Sequence, residues 1–159
     1  MGSTSATETE NIFHPPSNPA VGFLSSFEIV VFEKAMKNYR IHGKLLPQDA
    51  ISLHWMFGSL IFQVFELVDN DHVTVLKSSS SNKVLIQVLG KPEKGEMYYI
   101  SPGKSICQCS GYLKGKKDYC KHILAAHIIL SITTPEEYEV IAESEIINIF
   151  HTYISKKKK

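Results

Sequence analysis

All three cysteines of this 159-residue chain fall within fourteen residues, and a histidine stands two places after the last. Cys107-Gln108-Cys109, ten further residues, then Cys120-Lys121-His122 make a C-x-C-x10-C-x-H pattern. Three thiolates and one imidazole are a complete tetrahedral ligand set for zinc, and no position remains open for water or substrate. A closed set of this kind implies a structural metal. Cysteines in a reduced protein also serve as separate small buried hydrophobes, but clustering beside a histidine at ligand spacing argues against that here. His127 lies five residues past His122, about 140° around a helix, and reads as a core or surface residue rather than a ligand.

The spacing makes demands on the backbone. In an extended segment Cys107 and Cys109 point to the same side and Gln108 to the other. In a regular helix Cys120 and His122 would diverge by about 200°. Cys120 is therefore expected just before a helix and His122 in its first turn, with the Gly-containing loop Ser110–Tyr119 closing over the ion. A helix amino terminus there also stabilises thiolate charge.

Composition sets the frame for that site. The chain is 43% hydrophobic and 21% charged, an ordinary globular balance for one domain, two at most. An odd cysteine count and the lack of an N-x-Ser/Thr sequon point to a reducing compartment, cytoplasm or nucleus. The polar, acidic amino-terminal stretch does not read as a secretory signal, and Ala6 stands where myristoylation expects Ser or Thr. No apolar run is long enough for a transmembrane helix. The formal charge of +1 supplies no global field toward nucleic acid or membrane, so any electrostatic function must be local.

The elements that position the ligands can be read around them. Residues 1–22, rich in Ser, Thr and Glu with Pro15, Pro16 and Pro19, read as a flexible arm. Ser25 and Glu28 have capping-box spacing and open a first helix. Phe23, Phe27, Val30, Val31 and Ala35 are expected to form its apolar face, with a stop at His42-Gly43. A second helix opens at Leu46-Pro47-Gln48-Asp49 and is expected to run unbroken to Val68. It is apolar over more than half its circumference, which calls for a large core or a partner. From His72 the period changes to two: strands over 72–77, 83–89 and about 97–100, joined by turns. A helix follows from about Cys120 to Leu130. Thr134-Pro135-Glu136-Glu137 carries a capping box and is expected to open a last helix reaching Tyr153. The architecture is an α+β domain: N-terminal helices, a small antiparallel sheet, a zinc-closed hairpin–helix unit and a C-terminal helix. Its divisions are an arm at 1–22, a helical region at 23–69, strands and finger at 70–132, and the last helix with its Lys tail at 133–159.

The ligand pattern resembles the SWIM zinc finger, in which a short β-hairpin precedes a zinc-bound helix. The stretch Ile51 to Ser59, with Glu66-Leu67-Val68-Asp69, Gln87-Val88-Leu89-Gly90 and Cys120-Lys121-His122-Ile123-Leu124-Ala125, is similar to the SWIM-containing subunit of the Shu complex. The resemblance covers roughly residues 46 to 131; residues 1–42 have no counterpart in it. It implies zinc held by Cys107, Cys109, Cys120 and His122, and a nuclear, non-catalytic accessory factor of homologous recombination in DNA repair and meiosis. It further implies an obligate heterodimer with a partner resembling recombinase paralogues. That pair would promote recombinase filament assembly on single-stranded DNA.

Two other readings compete. Lys104, Lys114, Lys116, Lys117 and Lys121 surround the finger, and Tyr112 and Tyr119 stand among them, so an autonomous DNA- or RNA-binding module is the alternative. The plain counter-reading is that these lysines, like Lys156 to Lys159, only solvate the surface. An enzyme is the weaker rival. Gly103-Lys104-Ser105 ends like a phosphate-binding loop, but Tyr98 stands where that motif requires glycine. An interaction role draws support from the second helix, where Trp55, Phe57, Phe62 and Phe65 are expected to meet a partner.

Overall fold

A computed structural model describes residues 23–104, 106–115 and 118–155. The amino-terminal arm, Lys116, Lys117 and the Lys156 to Lys159 tail lie outside the described residues.

Helix α1 (Ser26–His42) opens with a complete capping box. Ser25 Oγ accepts from the Glu28 amide, and the Glu28 carboxylate accepts from the Ser25 amide. Its inward face is only partly the expected one: Ala35 lies in it and Phe23 packs against the core. Phe32, Ala35 and Met36 are buried while Phe27 and Val30 are exposed. The helix has apolar residues on opposite sides, so periodicity alone could not say which side the core takes.

The second expected helix is two. Helix α2 (Pro47–Phe57) and helix α3 (Leu60–Asp69) meet at Gly58, with φ 68° and ψ −159°. That region is open essentially to glycine alone, so the chain turns there although its apolar run continues. The turn lets both halves face one core: Leu53 and Phe57 from α2, and Ile61, Val64, Phe65, Leu67 and Val68 from α3. Phe57 and Phe65, expected to meet a partner, are instead buried within the chain's own core. Phe57 packs edge-on to Phe32 and Tyr119, and Phe65 packs against Tyr39. Trp55, at 85% exposure, and Phe62, at 53%, stay outside with Ile51. Asp49, buried on the inner side of α2, accepts a hydrogen bond from Asn38 at 2.9 Å. At the far end the Tyr39 hydroxyl donates to Asp69 at 2.6 Å. Burial and that carboxylate push the phenol up to about 12.

The sheet has the order β3-β2-β1-β4. Strands β1 (Val73–Ser78), β2 (Val84–Leu89) and β3 (Met97–Ile100) form an antiparallel meander, with Val75 opposite Ile86 and Ile86 opposite Ile100. A 3-10 turn at Pro92–Lys94 leads into β3. Val73, Val75, Ile86, Val88 and Ile100 join the main core, as alternation requires of one face.

The fourth strand was not expected. The Thr134 capping box is present, but it closes only a 3-10 turn at Pro135–Glu137. Strand β4 (Glu139–Ile141) then pairs parallel with β1, and only afterwards does the last helix begin. The antiparallel meander thus gains one parallel edge.

Candidate metal centre

The ligand-bearing segment Cys107-Gln108-Cys109 ends in helix α4 (Ser110–Lys114). Cys109 is the N-cap of α4, and Cys120 is the N-cap of helix α5 (Lys121–Ile132). Cys120 is extended (φ −123°, ψ 177°) while His122 is already helical. The backbone bend between them converges two side chains that a regular helix would splay apart.

All four side chains are buried, and their ligand atoms lie within 4.8 Å of one another. His122 Nδ1 is 3.7 Å from Cys107 Sγ and 3.8 Å from Cys120 Sγ. In a tetrahedron with Zn–S near 2.3 Å and Zn–N near 2.0 Å the corresponding edge is about 3.5 Å. These two edges match that value within a few tenths of an ångström. Soft thiolates with one imidazole select zinc over hard cations such as Mg2+ or Ca2+. Among the described residues this is the one cluster of its kind.

The backbone supports the charge of each sulfur. The Cys109 amide donates to Cys107 Sγ at 3.4 Å, and the Tyr112 amide donates to Cys109 Sγ at 3.3 Å. The Ile123 amide serves Cys120 in the first turn of α5. Three thiols this close cannot all ionise unaided. The Cys107 thiol donates to Cys120, which holds Cys120 down to about 4, with His122 contributing. Cys107 is itself pushed up, first by that hydrogen bond and then by burial, and Cys109 is raised by burial. Zinc takes its sulfur ligands as thiolates, so zinc binding must expel protons from this site.

Residues beyond the ligands shape the site. Tyr98 stacks on the His122 ring at 4.2 Å between centroids, 27° between planes, and fixes its orientation from β3. The loop between the cysteine pairs needs its second glycine for space: a Cβ on Gly115 would stand 2.5 Å from the Gly111 carbonyl oxygen. Tyr98 was missed in the sequence reading. Its signal was present, since it shares a sheet face with Ile100, the face toward α5.

The other expected residues fall into two groups. Lys104 and Lys114 are exposed, and Lys121 is half-buried on the first turn of α5. Tyr112 and Tyr119 are half-buried. Both pack against the core, and Tyr119 is stacked on Phe23 at 4.9 Å and meets Phe57 edge-on. His127 is buried on α5, and desolvation lowers it to about 4, so its imidazole is neutral at physiological pH.

No family model matches the chain, and no solved structure does. Curated relatives do. The chain is 34% identical over 94 residues to the mouse (Mus musculus) zinc finger SWIM domain-containing protein 7, covering 56% of this chain and 57% of the relative. It is 30% identical over 103 residues to the human (Homo sapiens) protein of that name, covering 62% of this chain and 71% of the relative. A Dictyostelium discoideum homolog matches at 27% over 128 residues, 76% of this chain and 78% of the relative. The match thus spans little more than half of the mouse relative but over two thirds of the human one. With a buried Cys3His cluster that fits zinc, the chain belongs to the zinc finger SWIM domain-containing protein 7 family.

Proposed function

We propose that the chain is a non-catalytic zinc-finger subunit of a Shu-like heteromeric complex. Its partner is a recombinase-paralogue subunit, and the pair promotes recombinase filament assembly on single-stranded DNA during homologous recombination in the nucleus. The observation that carries this reading is the closed ligand set in a chain of the SWIM family. Three sulfurs and one imidazole fill the tetrahedron, so the metal organises structure and leaves any ATP-dependent step to the partner. The outer side of α2 and α3 adds a reason for a partner. Ile51, Trp55 and Phe62 are exposed together, with His54 stacked on Phe62 at 5.5 Å. Large aromatics are enriched as anchors at protein interfaces.

The test is co-expression with a recombinase paralogue, with mass by light scattering and zinc by mass spectrometry. A 1:1 complex with one zinc per chain, weakened by Trp55→Ala with Phe62→Ala, is expected. A zinc-loaded monomer indifferent to that partner would overturn the reading.

A second reading, an autonomous nucleic-acid module, has one observation in its favour. Lys104, Ile106, Leu113 and Lys114 are all exposed, and each stands within five residues of a metal ligand in the sequence. In that case Lys114→Glu combined with Lys116→Glu and Lys117→Glu would weaken single-stranded DNA binding at low salt and spare partner binding.

A further inference from the structure

Helix α1 has a second face that the core does not use. Phe27, Val30, Lys34, Lys37 and Ile41 recur at spacings of three, four, three and four, the a and d rhythm of a coiled-coil seam. At 100° per residue these five positions fall within an arc of about 80° and span about 21 Å. The buried residues Phe32, Ala35 and Met36 lie on the other side. Every seam position is exposed: Phe27 at 77%, Val30 at 63% and Ile41 at 65%, with Lys34 and Lys37 between them. A solvated helix face has no use for three large apolar side chains in coiled-coil register.

We propose that this seam docks an amphipathic helix of another protein, one with apolar residues facing Phe27, Val30 and Ile41 and carboxylates facing Lys34 and Lys37. The two lysines decide the occupant. A second copy of this chain would set Lys34 against Lys34 in either orientation, and in the parallel one Lys37 against Lys37 as well. Like charges inside a seam are strongly disfavoured, and a polar pair at a and d positions fixes register and partner. A lipid surface fits less well, because it would bury the lysines in the middle of the apolar face rather than at its margins. An acidic-centred helix satisfies both the apolar ends and the basic middle. The inference does not depend on which protein meets Trp55 and Phe62.

The test uses the full zinc-loaded chain and synthetic helices as long as α1. Their seams read Leu-Leu-Glu-Glu-Leu, in that order and reversed, beside matched peptides with Lys in place of Glu. One Glu peptide is expected to bind by fluorescence anisotropy, and the Lys peptides are not. In the Lys34→Glu, Lys37→Glu chain, with zinc content checked as a measure of folding, the Glu peptide should weaken roughly tenfold or more and the Lys peptide should gain. Failure of both Glu peptides, or binding indifferent to the charge exchange, would overturn the proposal. Self-association of the chain, or binding to phosphatidylserine vesicles, that is abolished by Phe27→Ser with Ile41→Ser would overturn it too, in favour of those occupants.

Discussion

Two helices of nearly equal length stand against the sheet and are held in opposite ways. Helix α5 has twelve residues, and eight in succession, His122 to Ile129, are buried. It packs on α1, α3 and three strands, and its amino terminus carries half of the metal ligands. Helix α6 (Glu143–Ser155) has thirteen residues and buries fully only Ile146 among those described. Beside the sheet's other face it frames an open cleft lined by Leu76, Gln87, Glu145, Asn148 and Ile149. Its remaining ties are discrete. Glu143 accepts from Lys83 and Ser80 at 2.6 and 2.7 Å, and Tyr153 meets Tyr99 edge-on at 5.6 Å. Composition and position act together: eight of the twelve residues of α5 are apolar against six of thirteen in α6. Helix α5 is the axis around which the core and the metal ligands are organised, and α6 is an attachment.

That contrast can be broken most forcefully at the metal. Chelation, or Cys109→Ser or His122→Ala, should unfold the α5 side of the molecule. Structural zinc contributes on the order of 10–16 kcal/mol in finger peptides, comparable to a domain's whole stability. Far-UV circular dichroism with zinc counting checks this, and a metal-free variant that kept its core would show α5 to be self-sufficient.

Core truncation is the next largest effect. Leu124→Ala in α5 should cost about 2–5 kcal/mol in a single cooperative transition. Ile146→Ala should instead release α6 locally, visible as faster amide exchange over residues 143–155 with the α5 amides still protected. Equal global losses for both would erase the distinction.

A smaller effect comes from pH. His127 has an ordinary pKa of 6.5 that burial lowers to about 4 in the folded chain. The unfolded chain therefore binds the proton first. Stability is fully present above pH 6.5 and declines as pH falls toward 4, by about 3 kcal/mol in all. Denaturant titrations across that window, with zinc content followed in parallel, should show a shallower decline in His127→Leu. An unchanged slope would assign the acid sensitivity to the thiols alone.

The smallest effect belongs to α6. Its Lys83–Glu143 pair is exposed at 57% on the lysine side, and exposed ion pairs contribute little. Lys83→Ala should leave the global melting temperature unchanged within error. A clear drop would mean that α6 is coupled to the core after all.

The sequence revealed the metal centre better than the fold around it, for physical reasons. The four ligand residues sit within sixteen positions, from Cys107 to His122, and only one chemistry explains those types at that spacing. The break at Gly58 was hidden because Phe57 and Leu60 continue the apolar run on either side. The inner face of α1 was misread in part, at Phe27 and Val30, because these are as apolar as Phe32 and Met36, and only tertiary packing chooses between them. Strand β4 was missed because a capping box opens a 3-10 turn as readily as a helix, and three residues carry no readable period.

The parallel pairing of β4 with β1 also sets an order of events during synthesis. The two strands are separated by the 60 residues from 79 to 138. At ribosomal rates of about 5–20 residues per second, that interval lasts on the order of 3–12 s. Until β4 emerges, β1 presents an unpaired row of amides and carbonyls, a template for wrong partners. The intervening chain contains the metal ligands and all of α5. Zinc capture can therefore precede closure of the sheet, and a nascent chain short of zinc would prolong the exposure of that edge.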